Sequence, residues 1–100
     1  MLMLAGTFRV PPEKLGEAEP HMAAVIEASG REEGCLYFAF GYDVLEPGLV
    51  NVMELWRDQA ALDAHRETAH FLAWKSVREA IGMHDRRLSL YEIASATPQA

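Results

Sequence analysis

Glu54-Leu55-Trp56-Arg57-Asp58-Gln59-Ala60-Ala61-Leu62-Asp63-Ala64-His65-Arg66-Glu67-Thr68-Ala69-His70-Phe71 is the stretch that decides how this chain folds. Leu49 to Trp56 is apolar with β-branched residues and predicts a strand that ends at Trp56. Asp58 suits the N-cap of a helix carrying Ala61, Leu62 and His65. Thr68 is a second cap, opening a helix with Phe71, Trp74, Val77 and Ile81 on one stripe. Gly82 ends it. The spacing therefore predicts a strand, a short helix, a break at Thr68 and a longer helix.

Working outward, Met1 to Val10 reads as a strand closed by Pro11-Pro12. Pro12 and Glu13 suit a first helical turn. Leu15, Ala18, Met22, Val25, Ile26 and Ser29 then recur at helical spacing, with Gly30 as the C-cap. Pro20 falls inside that pattern and predicts a kink or a split-off first turn. Glu33-Gly34 reads as a turn, Cys35 to Asp43 as an aromatic-rich strand, and Glu46-Pro47-Gly48 as a hairpin turn. Arg86 to Ala94 is the last strand. The order β-α-β-β-α-β predicts an α+β, ferredoxin-like fold: an antiparallel four-stranded sheet with both helices on one face. Residues 1–95 read as one domain and 96–100 as a tail.

Two helices cover one sheet face, so a monomer should alternate apolar with polar. These strands do not. Leu2, Leu4, Phe8 and Val10 oppose Met1, Met3 and Ala5. Leu36, Phe38, Phe40 and Tyr42 oppose Cys35, Tyr37 and Ala39. Leu49, Met53 and Leu55 oppose Val50, Val52 and Trp56. A bare second face would exceed the apolar patch that monomers expose, which predicts a homodimer pairing sheet against sheet.

The formal net charge is −6, and half the residues are hydrophobic. An acidic chain whose densest basic run is Arg86-Arg87 is unsuited to nucleic acid or an anionic membrane surface. No apolar run is long enough to span a bilayer. The N-terminus lacks a basic region and reads as a strand, not a signal peptide. Cys35 is the single cysteine; a thiol with no partner suits a reducing, cytoplasmic setting and excludes a cysteine-built zinc site.

His65 and His70 are the candidate reactive groups. On one continuous helix they would point about 140° apart, unlike paired metal ligands, so no metal is expected. A restart at Thr68 would let the rings approach. A histidine at an apolar pocket can take a phenolic proton near neutral pH. The alternative is structural, with His70 capping its helix or bonding backbone. Glu54, on a central strand, needs a partner if buried: Arg57, Arg9 or a histidine. Trp56, Phe71, Trp74, Phe40, Met53 and Tyr91, with Phe38, are candidates to line an aromatic-binding pocket. Tyr37, Tyr42 and Tyr91 could hydrogen-bond a ligand oxygen, or equally cap the core with the hydroxyl in water. There is no G-x-G-x-x-G, P-loop or C-x-x-C, so no nucleotide cofactor is expected.

Glu33-Gly34-Cys35, Glu54-Leu55-Trp56-Arg57-Asp58, and Ala64-His65 through Thr68-Ala69-His70-Phe71 together resemble the antibiotic biosynthesis monooxygenase domain. The resemblance runs from the first strand to Ala94. Such proteins often carry proline where Ala69 stands. The resemblance implies a ferredoxin-like dimer and a cofactor-independent monooxygenase that oxidises a quinol-like or polyketide-derived aromatic with O2. It implies His65 as proton acceptor, His70 as a second polar contact and Glu54 in a structural network. Haem degradation is not implied: the first strand has no asparagine, and a histidine and Trp74-Lys75 stand where that branch has tryptophan and histidine. Two alternatives share the scaffold. One is an isomerase of a small, possibly phosphorylated metabolite, with Arg31, Arg66 and Lys75 as phosphate candidates. The other is a non-catalytic dimeric ligand-binding protein.

Overall fold

The computed structural model describes residues 1–100. Strands β1 (Leu2–Arg9), β2 (Cys35–Tyr42), β3 (Leu49–Trp56) and β4 (His84–Glu92) form one sheet in the order β2-β3-β1-β4. Every pairing is antiparallel. Helices α1 (Leu15–Gly30), α2 (Gln59–His65) and α3 (Ala69–Ala80) complete the chain. This is the ferredoxin-like arrangement, with the second helical segment in two pieces. The break falls where the capping residues placed it. The Asp58 side chain accepts from Ala61 N, and the Thr68 side chain accepts from Phe71 N.

The α1 stripe buries Ala18, Met22, Val25 and Ser29. Pro20 lies within the helix without interrupting it, so no first turn is split off at this residue. Proline removes the bond to the carbonyl of Gly16, and both residues face solvent, so water can take that carbonyl. A separate 3-10 turn, Pro12–Lys14, precedes α1.

The β3 register sets which face is inside. Val50, Val52, Glu54 and Trp56 are buried under the helices, beside Phe8 and Leu2 of β1. Asn51 and Met53 point the other way and are exposed. On that outer face Met53 lies between Ala5 and Ala39, Leu55 between Met3 and Tyr37, and Tyr91 beside Met3. Tyr37, Met53 and Tyr91 remain exposed there. One local feature departs from simple alternation. A bulge between Cys35 and Tyr37 puts Cys35 opposite Trp56, so its side chain packs against the core and Leu36 turns out to solvent.

Candidate active site

Three connections converge above the end of β3. Glu32 sits in the tight turn after α1, its N–H donating to Ser29 O and its carbonyl accepting from Cys35 N. Gly34 follows, and Arg57 N donates to its carbonyl at 2.9 Å, tying the turn to the end of β3. A Cβ on Gly34 would lie 2.2 Å from that of Ala61, so only glycine lets α2 pack this close. His65 is the last residue of α2 and His70 the second of α3. Thr68 couples them: its hydroxyl donates to His65 O at 2.7 Å while accepting from Phe71 N.

Both rings bond one carboxylate oxygen. His65 Nδ1 lies 2.7 Å and His70 Nε2 2.8 Å from Glu32 Oε2. A carboxylate accepts, so each ring nitrogen is assigned the proton it donates. His65 is 2% exposed, enclosed by Trp56 (ring centroids 4.5 Å apart), Phe71 (5.0 Å) and Phe38 (5.6 Å). That burial pushes the His65 pKa below its ordinary 6.5, against the opposing pull of Glu32. Neutral His65 with its proton on Nδ1 leaves a lone pair on Nε2, which no protein group bonds.

His65 opens onto a cavity walled by Phe40, Phe71 and Trp74, whose polar residues are Glu54, His65, Arg78 and Arg86. Its free space is about 20 Å³, room for one water. Glu54, 6% exposed, accepts from Trp56 Nε1 at 3.1 Å. None of the three partners suggested by the sequence bonds it. Arg9 pairs with Glu46 on the outer face, Arg57 turns to Asp58, and the histidines take Glu32. A residue two along the same strand shares its face, which brings the indole to the carboxyl.

Burial raises the Glu54 pKa above its ordinary 4.5, outweighing the indole bond and the charges of Arg86 and Arg66. A raised folded value makes this group's contribution to stability full below pH 4.5 and lost as pH rises through the raised value. Glu54→Gln keeps an oxygen for the indole and cannot ionise. It should therefore raise the melting temperature at pH 8 by about 5 °C, on the order of 1 kcal/mol, with the gain vanishing near pH 4. Thermal melts at the two pH values check this.

The structure thus brings His65, Glu54, Phe38, Phe40, Phe71 and Trp74 together and sets Trp56, His70, Met53 and Tyr91 apart. Trp56 is fully buried behind His65 and does not face the cavity. His70 lines a different cleft, of about 100 Å³ between α1 and α3, so its contact is with Glu32 and not with the space His65 faces. Met53 and Tyr91 lie across the sheet on the outer face, because strand alternation puts them opposite the helix side. Tyr37 is there too, and Tyr42 donates to Glu19 at the rim of a groove of about 210 Å³ between α1 and β2. That groove is roomier, but it contains no histidine, and its one carboxylate, Glu19, already accepts from Tyr42. Glu32, Arg78 and Arg86 are the polar groups that sequence reading missed.

Glu32 Oε2, His65 Nδ1 and His70 Nε2 lie within 4.8 Å of one another, a donor set of the kind divalent metals use. The oxygen also stands at hydrogen-bond distance from each ring, so each imidazole can donate to it.

The model of the antibiotic biosynthesis monooxygenase family matches residues 1–77. The chain belongs to that family. It is 30% identical over 93 residues to the uncharacterized Synechocystis protein sll1783, covering 93% of this chain and 63% of that longer one. It is 34% identical over 71 residues to Bacillus subtilis YcnE, provisionally named a monooxygenase, covering 71% and 75% of the two chains. A Deinococcus radiodurans structure, provisionally described as an antibiotic biosynthesis monooxygenase, superposes with a TM-score of 0.90 at 20% identity. That match covers 100% of this chain and 99% of the other, and establishes the fold.

Proposed function

We propose that this protein is a cofactor-independent monooxygenase, acting as a homodimer on a quinol-like or polyketide-derived aromatic. The observation that carries the reading is the Glu32–His65 pair facing an aromatic-walled cavity. Glu32 fixes the His65 proton on Nδ1 and would stabilise the imidazolium formed when Nε2 takes a phenolic or benzylic proton. The resulting carbanion or phenolate is electron-rich enough to reduce O2 itself. For a methylene between two aryl rings the balance is complete. One oxygen atom becomes the carbonyl, the other leaves as water with the two methylene hydrogens, and the substrate supplies all four electrons. The protein's part is the base, the orientation and the exclusion of water.

The outer face supports the dimer: Met3, Tyr37, Met53, Leu55 and Tyr91 form an apolar surface that the helices leave bare. Sedimentation should give twice the mass of the chain, and Met53→Asp should shift it towards monomer.

Oxygen uptake with a panel of hydroquinones and anthrones tests the activity. Uptake above autoxidation, lost in His65→Ala, is expected. The acid limb of kcat/KM should have its midpoint below 6.5, because burial keeps His65 deprotonated further into acid. Turnover of the same compounds under nitrogen would instead identify an isomerase, and a panel that binds without uptake would remove the oxygenase reading.

A further inference from the structure

The cavity in front of His65 has two cations on its rim, and neither is ion-paired within the protein. Arg78 projects from α3 and Arg86 from β4, and both line the same space as His65 and Glu54. Neither makes an ion pair or a side-chain hydrogen bond within the protein. Arg9, Arg57 and Arg87 pair with Glu46, Asp58 and Asp85, and the exposed Arg31 and Arg66 are unpaired too, so what distinguishes Arg78 and Arg86 is that both line one cavity. Glu79 follows Arg78 in sequence but lies outside pairing distance. Glu54 lines the same cavity, but its hydrogen bond is to the Trp56 indole and it forms no ion pair with either arginine. Arg78 is half-buried, and its burial and the neighbouring Arg86 charge both oppose its protonation. Two like charges on one rim, each with its donors unspent, are stabilised by an anion placed between them.

We infer that Arg78 and Arg86 form a subsite for a carboxylate carried by the aromatic substrate, so that the protein takes acidic aromatics in preference to neutral ones. This inference rests on the reading of the His65 cavity as the substrate site. A guanidinium presents a planar fork of donors that matches a carboxylate. With the carboxylate at the rim, the ring points inward between Phe71 and Trp74, towards His65 Nε2. The same two side chains explain how a ring could enter so small a space. Arg78, Met83 and Arg86 are long side chains at the mouth, and Arg86 is exposed, so rotation of these three would widen it. Burial against the carboxylate would then close it.

The test is calorimetric binding, under nitrogen, of 2,5-dihydroxybenzoate and of hydroquinone, which differ only in the carboxylate. The acidic compound should bind at least about tenfold more tightly, the scale of a hydrogen bond to a charged group. The preference should shrink between low and high sodium chloride. Arg86→Gln and Arg78→Gln should each reduce it and the double variant should abolish it, while Arg31→Gln, an exposed change of equal charge, should leave it intact. Equal affinity for the two compounds, no binding of the acidic one, or a preference that survives in the double variant would each overturn the subsite. Because Arg86 is exposed, its variant folds even if Arg78→Gln does not. Binding is read apart from turnover: a carboxylate preference without oxygen uptake leaves the subsite standing and removes the oxygenase reading.

Discussion

Glu32→Gln should lower the kcat of oxygen uptake by roughly 10²-fold, and Glu32→Ala by more, with KM little changed. The amide oxygen of glutamine can still accept from both rings, so the variant keeps the geometry and loses the charge. What disappears is the stabilisation of the imidazolium that forms as His65 takes the proton. Glu32 raises the His65 pKa, by hydrogen bond and by charge, against the desolvation that lowers it. Removing the anion leaves desolvation unopposed. The residual activity of Glu32→Gln should therefore have its acid limb at a lower pH than the wild type. A merely structural Glu32 would reduce activity without moving that limb, so the pH profile separates the two roles. Glu32→Ala adds a structural penalty. The His65 N–H is left buried without an acceptor, at about 1–3 kcal/mol, and thermal melts should show it. His70→Gln should cost far less activity, since His70 faces the cleft between the helices and does not line the cavity that His65 faces.

The parts of this molecule that were legible in sequence are those written in local spacing. Asp58 and Thr68 mark the two helix starts because capping is a matter of three or four residues. The order of strands follows from apolar runs, and the bare outer face follows from the failure of β1 and β3 to alternate with polar residues. Alternation also contained a warning. Met53 and Trp56 are three apart on one strand, an odd separation, and so could not share a face. Grouping them in one pocket went against the period that identified the strand. The Cys35–Tyr37 bulge was not legible, because an extra residue in a ladder has no local signature in that run. Glu32 was hidden for a different reason. It meets His65 and His70 across 33 and 38 residues, and in sequence it is one more acid before a glycine turn. Arg78 and Arg86 belong to different elements, and nothing local says they face one cavity. The fold was readable from periodicity; the site depends on long-range register, which periodicity leaves open.

Trp56→Ala should cost about 3–5 kcal/mol, a large share of the stability available to a domain of this size, and lower the melting temperature by at least about 12 °C. Trp56 is fully buried and holds two otherwise unrelated polar groups in place. Its ring packs against the His65 imidazole at 4.5 Å, and its N–H donates to Glu54. Trp56→Phe divides these roles. Phenylalanine keeps much of the ring packing behind His65 but leaves Glu54 Oε1 without its donor. Without that bond, which favours the ionised form, the Glu54 pKa should rise further, and the instability of Trp56→Phe should grow as pH rises from 5 to 8. Adding Glu54→Gln removes the ionisable group and should flatten that pH dependence. A double-mutant cycle measures the coupling directly. If Trp56→Phe is equally stable at both pH values, the indole does not control the Glu54 proton, and Glu54 must be held by the cavity's other charges, Arg86 first among them. Trp56 is thus where folding and site meet: the residue that closes the core also sets the back wall of the base and the protonation of the acid facing it.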